Sequence, residues 1–412
     1  MAERLIDRLR KNDKKGLFLP AQTSVSYSTG FLPFDYRNGY KVQVMDANEH
    51  LIKTYASVGL MGGTFVTIIG KNGVAKTTWC AQVAYNMVKN LENAFVIHYD
   101  LEQATNYTRI KNITGASQAE LSDKYIIRQE KNYLEDIFDS IIAIANEKEA
   151  DKKAFMYDTG LVDEFNNPIT TYVPTVILID SIPSLASKDM DEEEMKGQTD
   201  AMRMAQKVKQ FYKKLLPIIK TYNITIFTIN HINQKVEMNA FVKTQAQNMY
   251  MKMDESVPGG NAPMYYANTF VKFVSAGKFN KDDNGFDGFL VRAEFIKSRT
   301  NKAGKDCCMV YNQATGFDPI LTLMQLADDN GLIEGRNPYR YFKGHENAKF
   351  DTRKFRKDFN VKEEVRTALL ETVNPELEKM LSYVDQEDKD DKTMYSNVLE
   401  AFFNSQDDEF DK

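Results

Sequence analysis

One short run, IIGKNGVAKTTW at residues 68–79, constrains the fold of this chain more than any other. It continues the apolar, β-branched run TFVTIIG and leads into a segment of helical spacing, where Trp79, Val83 and Met87 fall on one face. Strand, glycine-rich turn and helix in this order match the phosphate-binding pattern G-x-x-x-x-G-K-[ST], except that Ala75 replaces the second glycine. We therefore predict a nucleotide-binding loop between a buried strand and a helix.

Each position of this loop predicts a contact with a triphosphate. Gly70 would let the chain turn sharply out of the strand, and Gly73 would bring backbone N–H groups close to a phosphate. Lys76 would supply a positive charge, and Thr77 a hydroxyl for a magnesium ion. Ala75 costs little if its φ is negative, so we expect the loop to survive the substitution. The predicted nucleotide-binding residues are Gly70, Lys71, Asn72, Gly73, Val74, Ala75, Lys76, Thr77 and Thr78.

Three more apolar runs end on polar residues, as buried strands of a parallel sheet do. These runs are AFVIHYD (94–100), TVILID (175–180) and ITIFTIN (224–230), and helical patterns at 134–149 and 197–222 separate them. Strands that alternate with helices predict an α/β fold with a mostly parallel sheet covered on both faces. Function in such sheets gathers at the carboxyl ends of the strands.

Side chains at those strand ends suit phosphate chemistry. Asp180 ends its strand as a Walker B acid would, and is predicted to bind magnesium together with Thr77. Glu102 lies past the end of its strand, and its longer side chain favours it over Asp100 for polarising the attacking water. His231 is placed to detect a terminal phosphate. A helix N-cap, a surface carboxylate and a structural histidine are the plainer alternatives for these positions.

The composition fits a protein without a membrane span or signal peptide, and we expect a cytoplasmic location. The chain has 412 residues, 42% hydrophobic and 27% charged, which predicts two or more structural units. Its three cysteines and four histidines favour reduced thiols over a metal cluster. The net charge of −5 is segregated: residues 336–366 hold ten Lys or Arg against five acids, and residues 371–412 hold thirteen acids against four lysines.

After residue 268 the pattern changes to that of antiparallel strands. TFVKFVSAG, GFLVRAEFIKS and DCCMVYN have strand-like alternation, so we predict that they extend the parallel sheet. The expected organisation is an N-terminal arm at 1–35, a core at 36–335 and a C-terminal segment at 336–412 that ends in an acidic tail. A hairpin is expected within residues 40–60.

Two long segments without a strong apolar period follow two of the strand ends, at 188–200 and 233–262. The second carries spaced cations and aromatic residues, which suit a nucleic-acid backbone, whereas the first is acidic and suits it poorly. Plain surface loops are the alternative, although long loops in compact domains are more often functional. The cations and aromatic residues of the second segment are Lys235, Phe241, Lys243, Tyr250 and Lys252.

In their order, these pieces resemble the RecA-type DNA recombinases, most closely the phage members of UvsX type. The resemblance covers roughly residues 25–335 and is carried by STGFLPFD, GKNGVAKTT, YDLE, ILIDSIPSLASK, TINHIN, GGNAPMYYA, EFIKSRTNK and TGFDP. It implies a RecA-like P-loop ATPase core, an N-terminal oligomerisation arm at 1–35 and a small C-terminal region.

The resemblance implies a DNA-dependent ATPase that uses ATP and Mg²⁺. Such a protein forms a helical homo-oligomeric filament on single-stranded DNA, pairs it with double-stranded DNA and exchanges strands in recombination, repair and recombination-dependent replication. Segments 188–200 and 233–258 match the DNA-contacting loops, and Lys297 and Arg299 match cations that reach the ATP of the adjacent subunit. Single-strand-binding and mediator proteins are candidate partners. The implied catalytic residues are Lys76, Glu102, His231, Lys297 and Arg299.

The chain departs from the family pattern at Ala75, in additions at 40–60 and 156–174, and in a C-terminal region without a counterpart. In many relatives an acidic tail restrains binding to duplex DNA, and the tail here could do the same. Two other functions stay open at this stage. One is a hexameric DNA helicase of the same core fold, although the chain has only an arm where helicases carry a sizeable N-terminal domain. The other is a non-catalytic, ATP-binding recombination mediator.

Overall fold

The computed structural model of the protein describes residues 24–46, 48, 50–130, 132–191, 198–234, 246–279 and 288–381. Its strands are β1 (Ser26–Tyr27), β2 (Tyr40–Met45), β3 (Leu51–Ser57), β4 (Leu60–Met61), β5 (Phe65–Gly70), β6 (Phe95–Asp100), β7 (Tyr125–Arg128), β8 (Met156–Val162), β9 (Pro168–Tyr172), β10 (Thr175–Asp180), β11 (Ile224–His231), β12 (Asn233–Gln234), β13 (Glu255–Ser256), β14 (Thr269–Lys278), β15 (Gly288–Ser298), β16 (Asp306–Asn312), β17 (Gly316–Asp318), β18 (Ile333–Arg336), β19 (Tyr339–Phe342) and β20 (Phe350–Asp351). Its α-helices are α1 (Leu32–Arg37), α2 (Lys76–Val88), α3 (Tyr107–Thr114), α4 (Gln118–Lys124), α5 (Leu134–Ala150), α6 (Lys152–Phe155), α7 (Lys188–Asp191), α8 (Gln198–Thr221), α9 (Ala262–Tyr266), α10 (Pro319–Asp329), α11 (Phe355–Val361) and α12 (Glu363–Glu378).

A nine-stranded mixed sheet forms the centre of the fold, in the order β17-β16-β15-β14-β5-β11-β10-β6-β7. The six strands from β14 to β7 are parallel, and β15, β16 and β17 continue the sheet in antiparallel fashion. The predicted mostly parallel sheet with antiparallel extensions is thus confirmed. Gly70 lies opposite His231, and Asp100 opposite Asp180, so the polar strand ends meet along one edge. We call this the carboxyl edge.

Helices cover both faces of the parallel strands, which explains why β5 and β10 have almost continuous apolar sequences. On one face Val66 and Ile68 pack with residues of α2, whose Trp79 is fully buried. On the other face Phe65 packs with Tyr212 of α8, at a ring-centroid distance of 4.4 Å, and with residues of α5. The alternation of strand side chains between two apolar cores holds the carboxyl edge rigid.

Two β-hairpins lie beside the sheet and pack together. The pair β2–β3 confirms the hairpin expected within residues 40–60, and β8–β9 forms a second one in the addition at 156–174. Tyr55 Oη donates to the carbonyl oxygen of Val162 at 2.7 Å, and the Met45 N–H donates to the carbonyl oxygen of Glu164 at 3.0 Å. These contacts make the two additions one structural feature.

The C-terminal residues from α10 to Leu381 form a third apolar core around helices α10, α11 and α12 and the small sheet β18-β19-β20. This core also includes Tyr36 of α1 and Val310 of β16. The Asn301 side chain joins it to the rest of the chain, because its Nδ2 donates to the carbonyl oxygens of Gly39 at 2.7 Å and Met380 at 3.0 Å. Four aromatic residues of the basic stretch 336–366 are buried in this core: Phe342, Phe350, Phe355 and Phe359.

Several predictions concern residues outside the part of the chain that the structure describes. These are the first 23 residues of the expected arm, the acidic tail from residue 382, and the segments 192–197 and 235–245 within the expected DNA-contacting loops. The hairpin of β18 and β19 spans positions 335 and 336, where the chain was divided by pattern, and that division stays a prediction. Among the described residues, no helix combines the length and apolar character needed to cross a membrane.

Candidate functional site

The loop from Gly70 to Thr77 leaves β5 at the carboxyl edge and enters α2. A Cβ atom on Gly70 would lie 2.7 Å from the carbonyl oxygen of Phe273 and 2.9 Å from Cγ2 of Val74. Glycine is therefore required by the close approach of β14, rather than by the sharp turn that the sequence suggested. Gly73 has a φ of +79°, in the left-handed region that favours glycine.

Ala75 also lies in the left-handed region, with φ 58° and ψ 30°, immediately before α2. The condition of a negative φ, under which the substitution would cost little, is not met. An alanine in this conformation costs roughly 1 kcal/mol relative to glycine. The loop nevertheless keeps the conformation because the Trp79 N–H donates to the Ala75 carbonyl oxygen at 3.0 Å and the Trp79 ring is anchored in the core.

The Lys76 ammonium group lies inside the loop. Its Nζ donates to the carbonyl oxygens of Gly70 at 3.1 Å and Lys71 at 2.9 Å. Burial lowers the pKa of Lys76 from its ordinary value, and the negative charge of Asp180 acts in the opposite direction. A buried ammonium group held only by neutral carbonyl oxygens is a suitable partner for an anion that enters the loop.

Thr77 and Asp180 are brought together as predicted. Thr77 Oγ1 donates to Asp180 Oδ2 at 2.5 Å, across the gap between α2 and β10. Burial raises the pKa of Asp180 to about 6; the Thr77 hydrogen bond lowers it, and the charges of Glu102 and Asp100 raise it further. In the described residues no group of three or more His, Cys, Asp or Glu side chains could hold a metal. The hydroxyl and carboxylate fit Mg²⁺, which takes few protein ligands and completes its shell with water and phosphate.

Glu102 and His231 also meet at this edge. His231 Nε2 lies 3.2 Å from Glu102 Oε1, and the Ser181 hydroxyl donates to the same Glu102 oxygen at 2.6 Å. Desolvation acts to raise the pKa of Glu102, but hydrogen bonds from Ser181 and His231 and the charge of Lys76 lower it overall. Glu102 is therefore an ionised, partly exposed carboxylate. Sequence analysis did not find Ser181, whose only signal was its position next to Asp180.

Asp100, the alternative to Glu102, has a structural role. Its side chain is fully buried and accepts hydrogen bonds from the Thr105 N–H at 2.8 Å and from Gln129 Nε2 at 2.7 Å. These contacts support the preference for Glu102 as the carboxylate that faces the open side of the edge. A cleft of about 860 Å³ opens there, lined by Lys71, Asn72, Pro183, His231, Ile232, Asn233 and Pro258.

Lys297 and Arg299 are not near the loop. Lys297 lies opposite Phe270, which in turn lies opposite Thr67, whereas the loop begins beyond Gly70. The two cations therefore lie toward the amino edge of the parallel strands, the edge opposite the loop. Their side chains converge on the last turn of α9, where Lys297 Nζ donates to the carbonyl oxygen of Tyr265 at 2.7 Å and Arg299 Nη2 donates to the same oxygen at 3.3 Å.

The described ends of the expected DNA-contacting segments lie next to the carboxyl edge. β12 follows His231 directly and pairs with β13, so the two ends of the segment 233–258 are held side by side. Tyr250 and Lys252 are exposed, as a nucleic-acid contact requires, and the Tyr250 ring lies beside Gly304 in the turn between β15 and β16. In the segment 188–200, α7 begins at Lys188 and α8 at Gln198.

The large mixed sheet carries the loop, the Thr77–Asp180 pair and the Glu102–His231 pair at one edge. It defines an α/β protein compatible with a RecA-like core. Comparison with curated proteins finds similarity to "Protein RecA" from one strain of Thermus thermophilus, at 25% identity over 202 residues, or 48% of this chain and 55% of that protein. "Protein RecA" from a second strain of the same organism is 25% identical over 159 residues, 39% of this chain and 43% of that protein.

The chain spans about half the length of the curated relatives it matches. No family model matches the chain. The similarity, although low in identity, supports a relationship to the RecA family in general. The narrower likeness to recombinases of phage UvsX type stays a prediction.

Proposed function

We propose that the protein is a cytoplasmic DNA-dependent ATPase that acts as a homologous recombinase, of the phage UvsX type. It assembles as a helical filament on single-stranded DNA, pairs that strand with a homologous duplex and promotes strand exchange. The observation that carries the proposal is the convergence of the Lys76 ammonium group, the Thr77–Asp180 pair and the Glu102–His231 pair at one edge of the sheet. The similarity to proteins named RecA supports the same function.

Nucleotide binding uses the loop and the first turn of α2. Lys76 turns from the carbonyl oxygens of Gly70 and Lys71 to the outer phosphates, since an anion is a stronger partner than a neutral carbonyl. Thr77 and Asp180 hold Mg²⁺. Bound ATP supplies the phosphoanhydride bond whose hydrolysis changes the charge at the site. The open N-terminus of α2 favours negative charge at the same point.

The attacking water is oriented by Glu102. An ionised carboxylate accepts a hydrogen bond from water, and Ser181 and His231 fix the position of Glu102. The same His231 lies two residues before Asn233, the first residue of β12, so a change in its contacts reaches the segment 233–258. His231 would in this way report the state of the terminal phosphate to the segment that contacts DNA.

Lys297 and Arg299 would complete the site of a neighbouring subunit. Within one protomer they lie near the edge opposite the loop, so they act on ATP only across an interface. A heterologous interface of this kind, with the carboxyl edge of one subunit against the amino edge of the next, generates a ring or a helical filament. Filling the site then stabilises the assembly, and hydrolysis weakens it.

The test is ATP hydrolysis measured with and without single-stranded DNA, together with negative-stain imaging of the same samples. We expect DNA to stimulate hydrolysis and to carry open helical filaments, and Lys76→Ala to remove the stimulated hydrolysis. Closed rings in the absence of DNA would instead indicate the hexameric helicase. Nucleotide binding without any DNA-dependent release of phosphate would indicate the non-catalytic mediator.

A further inference from the structure

A buried ion pair lies close to the candidate site but outside it. Lys272 Nζ contacts both carboxylate oxygens of Glu255, at 2.8 and 2.9 Å, and the two side chains are 8% and 9% exposed. A second carboxylate, that of Glu294, lies 3.8 Å from the same ammonium group. Two buried charges are costly to desolvate, and removing one of them leaves the other unpaired at a still higher cost. A pair of this kind therefore fixes the relative position of the two segments that carry it.

The pair joins the loop side of the sheet to the segment that follows His231. Lys272 belongs to β14 and lies opposite Ile69, one residue before Gly70. Glu255 belongs to β13 and lies opposite Gln234 of β12, three residues after His231. The pair thus fixes the position of the β12–β13 ladder relative to β14, which pairs with β5, the strand that precedes the nucleotide loop.

Other contacts hold the same segment, and they differ in kind. Met251 and Val257 pack in a small apolar cluster with Ile69 and Phe270. The Asn230 side chain donates to the carbonyl oxygen of Pro258 at 2.8 Å. The buried ion pair adds to this packing a penalty against separation, because moving the ammonium group away from the carboxylate leaves two buried charges unpaired. The ladder itself has only two residues in each strand, too few to fix its own register.

We propose that the Lys272–Glu255 pair is the positioning element that couples polynucleotide binding to hydrolysis. It holds the β12–β13 ladder in register with His231, so that a polynucleotide bound at the exposed Tyr250 and Lys252 changes the contact between His231 and Glu102. This inference rests on the proposed function. It assigns to Lys272 and Glu255 an effect on stimulation by DNA, while basal hydrolysis depends on the loop and on Glu102.

The test compares hydrolysis at increasing single-stranded DNA concentrations for the wild type and three variants. In Lys272→Met/Glu255→Met, apolar side chains replace the whole pair, a change that buried ion pairs tolerate without loss of folding. We expect basal hydrolysis to be retained and stimulation by DNA to fall roughly tenfold or more, within the usual range of coupling between sites. Lys272→Arg keeps the charge and the two-oxygen contact, and should keep the stimulation. Glu255→Gln removes the charge at constant shape and should lose it.

Lys148→Met is the matched control. Lys148 is a buried lysine whose Nζ donates only to the carbonyl oxygens of Val173 and Tyr222, among the contacts described, and it is remote from His231. Its loss should leave stimulation by DNA intact. Full stimulation of the folded double variant or of Glu255→Gln would overturn the inference and leave the proposed function standing. Absence of stimulation in the wild type would overturn the proposed function itself, and the inference with it.

Discussion

The two edges of the central sheet differ in the charged side chains that the described residues place there. The carboxyl edge holds the acids Asp180 and Glu102 around the buried ammonium group of Lys76. The amino edge holds Lys297 and Arg299, whose cationic groups face the carbonyl oxygens of α9 rather than a carboxylate. Among the described residues, the first edge has the groups that would hold a magnesium–phosphate group but little positive charge to neutralise it, and the second has positive charge without a paired anion. The difference is what the proposed assembly requires, in which the two edges are complementary parts of one site on adjacent subunits.

The sharpest test of this comparison is a mixture of two inactive variants. Lys76→Ala disables the carboxyl edge and Arg299→Ala the amino edge, and each alone should reduce DNA-stimulated hydrolysis by about a hundredfold or more, as loss of a trans cation does in phosphoryl transfer. In an equal mixture, about one interface in four joins two intact edges, so we expect up to about a quarter of the wild-type rate to return.

The control for this mixture is the exposed Lys305, in the turn that follows Arg299. Lys305→Ala should hydrolyse ATP normally, and thermal unfolding of Arg299→Ala should match the wild type. If the mixture stays inactive while both variants fold and co-assemble, the two edges do not form a shared site. Normal stimulated hydrolysis by Arg299→Ala would exclude that residue from the site.

The next effect concerns the free energy of unfolding, which burial of an acid at the carboxyl edge lowers at neutral pH. Burial raises the pKa of Asp180 from 3.8 to about 6, so the folded protein binds this proton more tightly than the unfolded chain does. The associated stability is present below about pH 4 and is lost as the pH rises through about 6. At neutral pH, Asp180→Asn should therefore raise the free energy of unfolding by up to about 3 kcal/mol.

Chemical denaturation at neutral pH and at about pH 4 measures this gain, which should nearly vanish at the lower pH. Magnesium-dependent nucleotide binding by the same variant should be lost, because the carboxylate is gone. Thr77→Val is a useful companion, since it removes the hydroxyl and leaves the acid. If Asp180→Asn were less stable than the wild type at neutral pH, burial of the Asp180 carboxylate would not be what lowers the free energy of unfolding.

A smaller effect is expected at the amino edge, from Lys297. Burial, aided by the nearby Arg299 charge, lowers the pKa of Lys297 to about 8. The ammonium form that could pair with phosphate is therefore present below about pH 8 and is lost as the pH rises above it. Nucleotide-dependent assembly of the wild type should weaken by up to roughly tenfold per pH unit in that range. Lys297→Arg should remove the alkaline limb, because arginine stays charged. An unchanged alkaline limb in Lys297→Arg would assign the titration to another group.

The smallest effect is at Ala75. Its φ of 58° is costly for alanine, so Ala75→Gly should raise the free energy of unfolding by about 1 kcal/mol, with little change in hydrolysis. Ala81→Gly, the same substitution inside α2, should lower it by about 1 kcal/mol instead. Thermal or denaturant unfolding of both variants measures the difference. Equal destabilisation by both would show that the loop does not hold Ala75 under strain.

Local patterns were sufficient to predict the central part of the fold and the carboxyl edge. The buried strands β5, β10 and β11 have apolar runs interrupted only by threonine before their polar ends, and those ends meet because parallel strands share an edge. Trp79, Val83 and Met87, which helical spacing places on one face of α2, are buried, and so are most other residues of that helix. The roles of Lys76, Asp180, Glu102 and His231 stay predictions, although the structure brings these side chains together.

Features that depend on contacts distant in the chain could not be predicted. The reason for glycine at position 70 is the backbone of Phe273, about two hundred residues later. The sign of φ at Ala75 is set by the start of α2 and the anchored Trp79, and the residue type gives no indication of it. The Lys272–Glu255 pair joins residues 17 apart on different strands, and no local period marks it. The position of Lys297 and Arg299 relative to the loop follows from sheet register alone.

The side chain of Asn301 has a consequence for the way the chain can be shortened. Asn301 lies two residues after Arg299, and its amide donates to the carbonyl oxygens of Gly39 and Met380. The turn that follows α12 therefore supports the strand end that carries the cations. A stop codon placed after Leu381 keeps this support, whereas one placed before Met380 removes an acceptor of the amide. Deletions meant to examine the acidic tail alone should therefore begin after Leu381. A shorter chain would also lose the Asn301–Met380 hydrogen bond, which supports the strand end near Arg299.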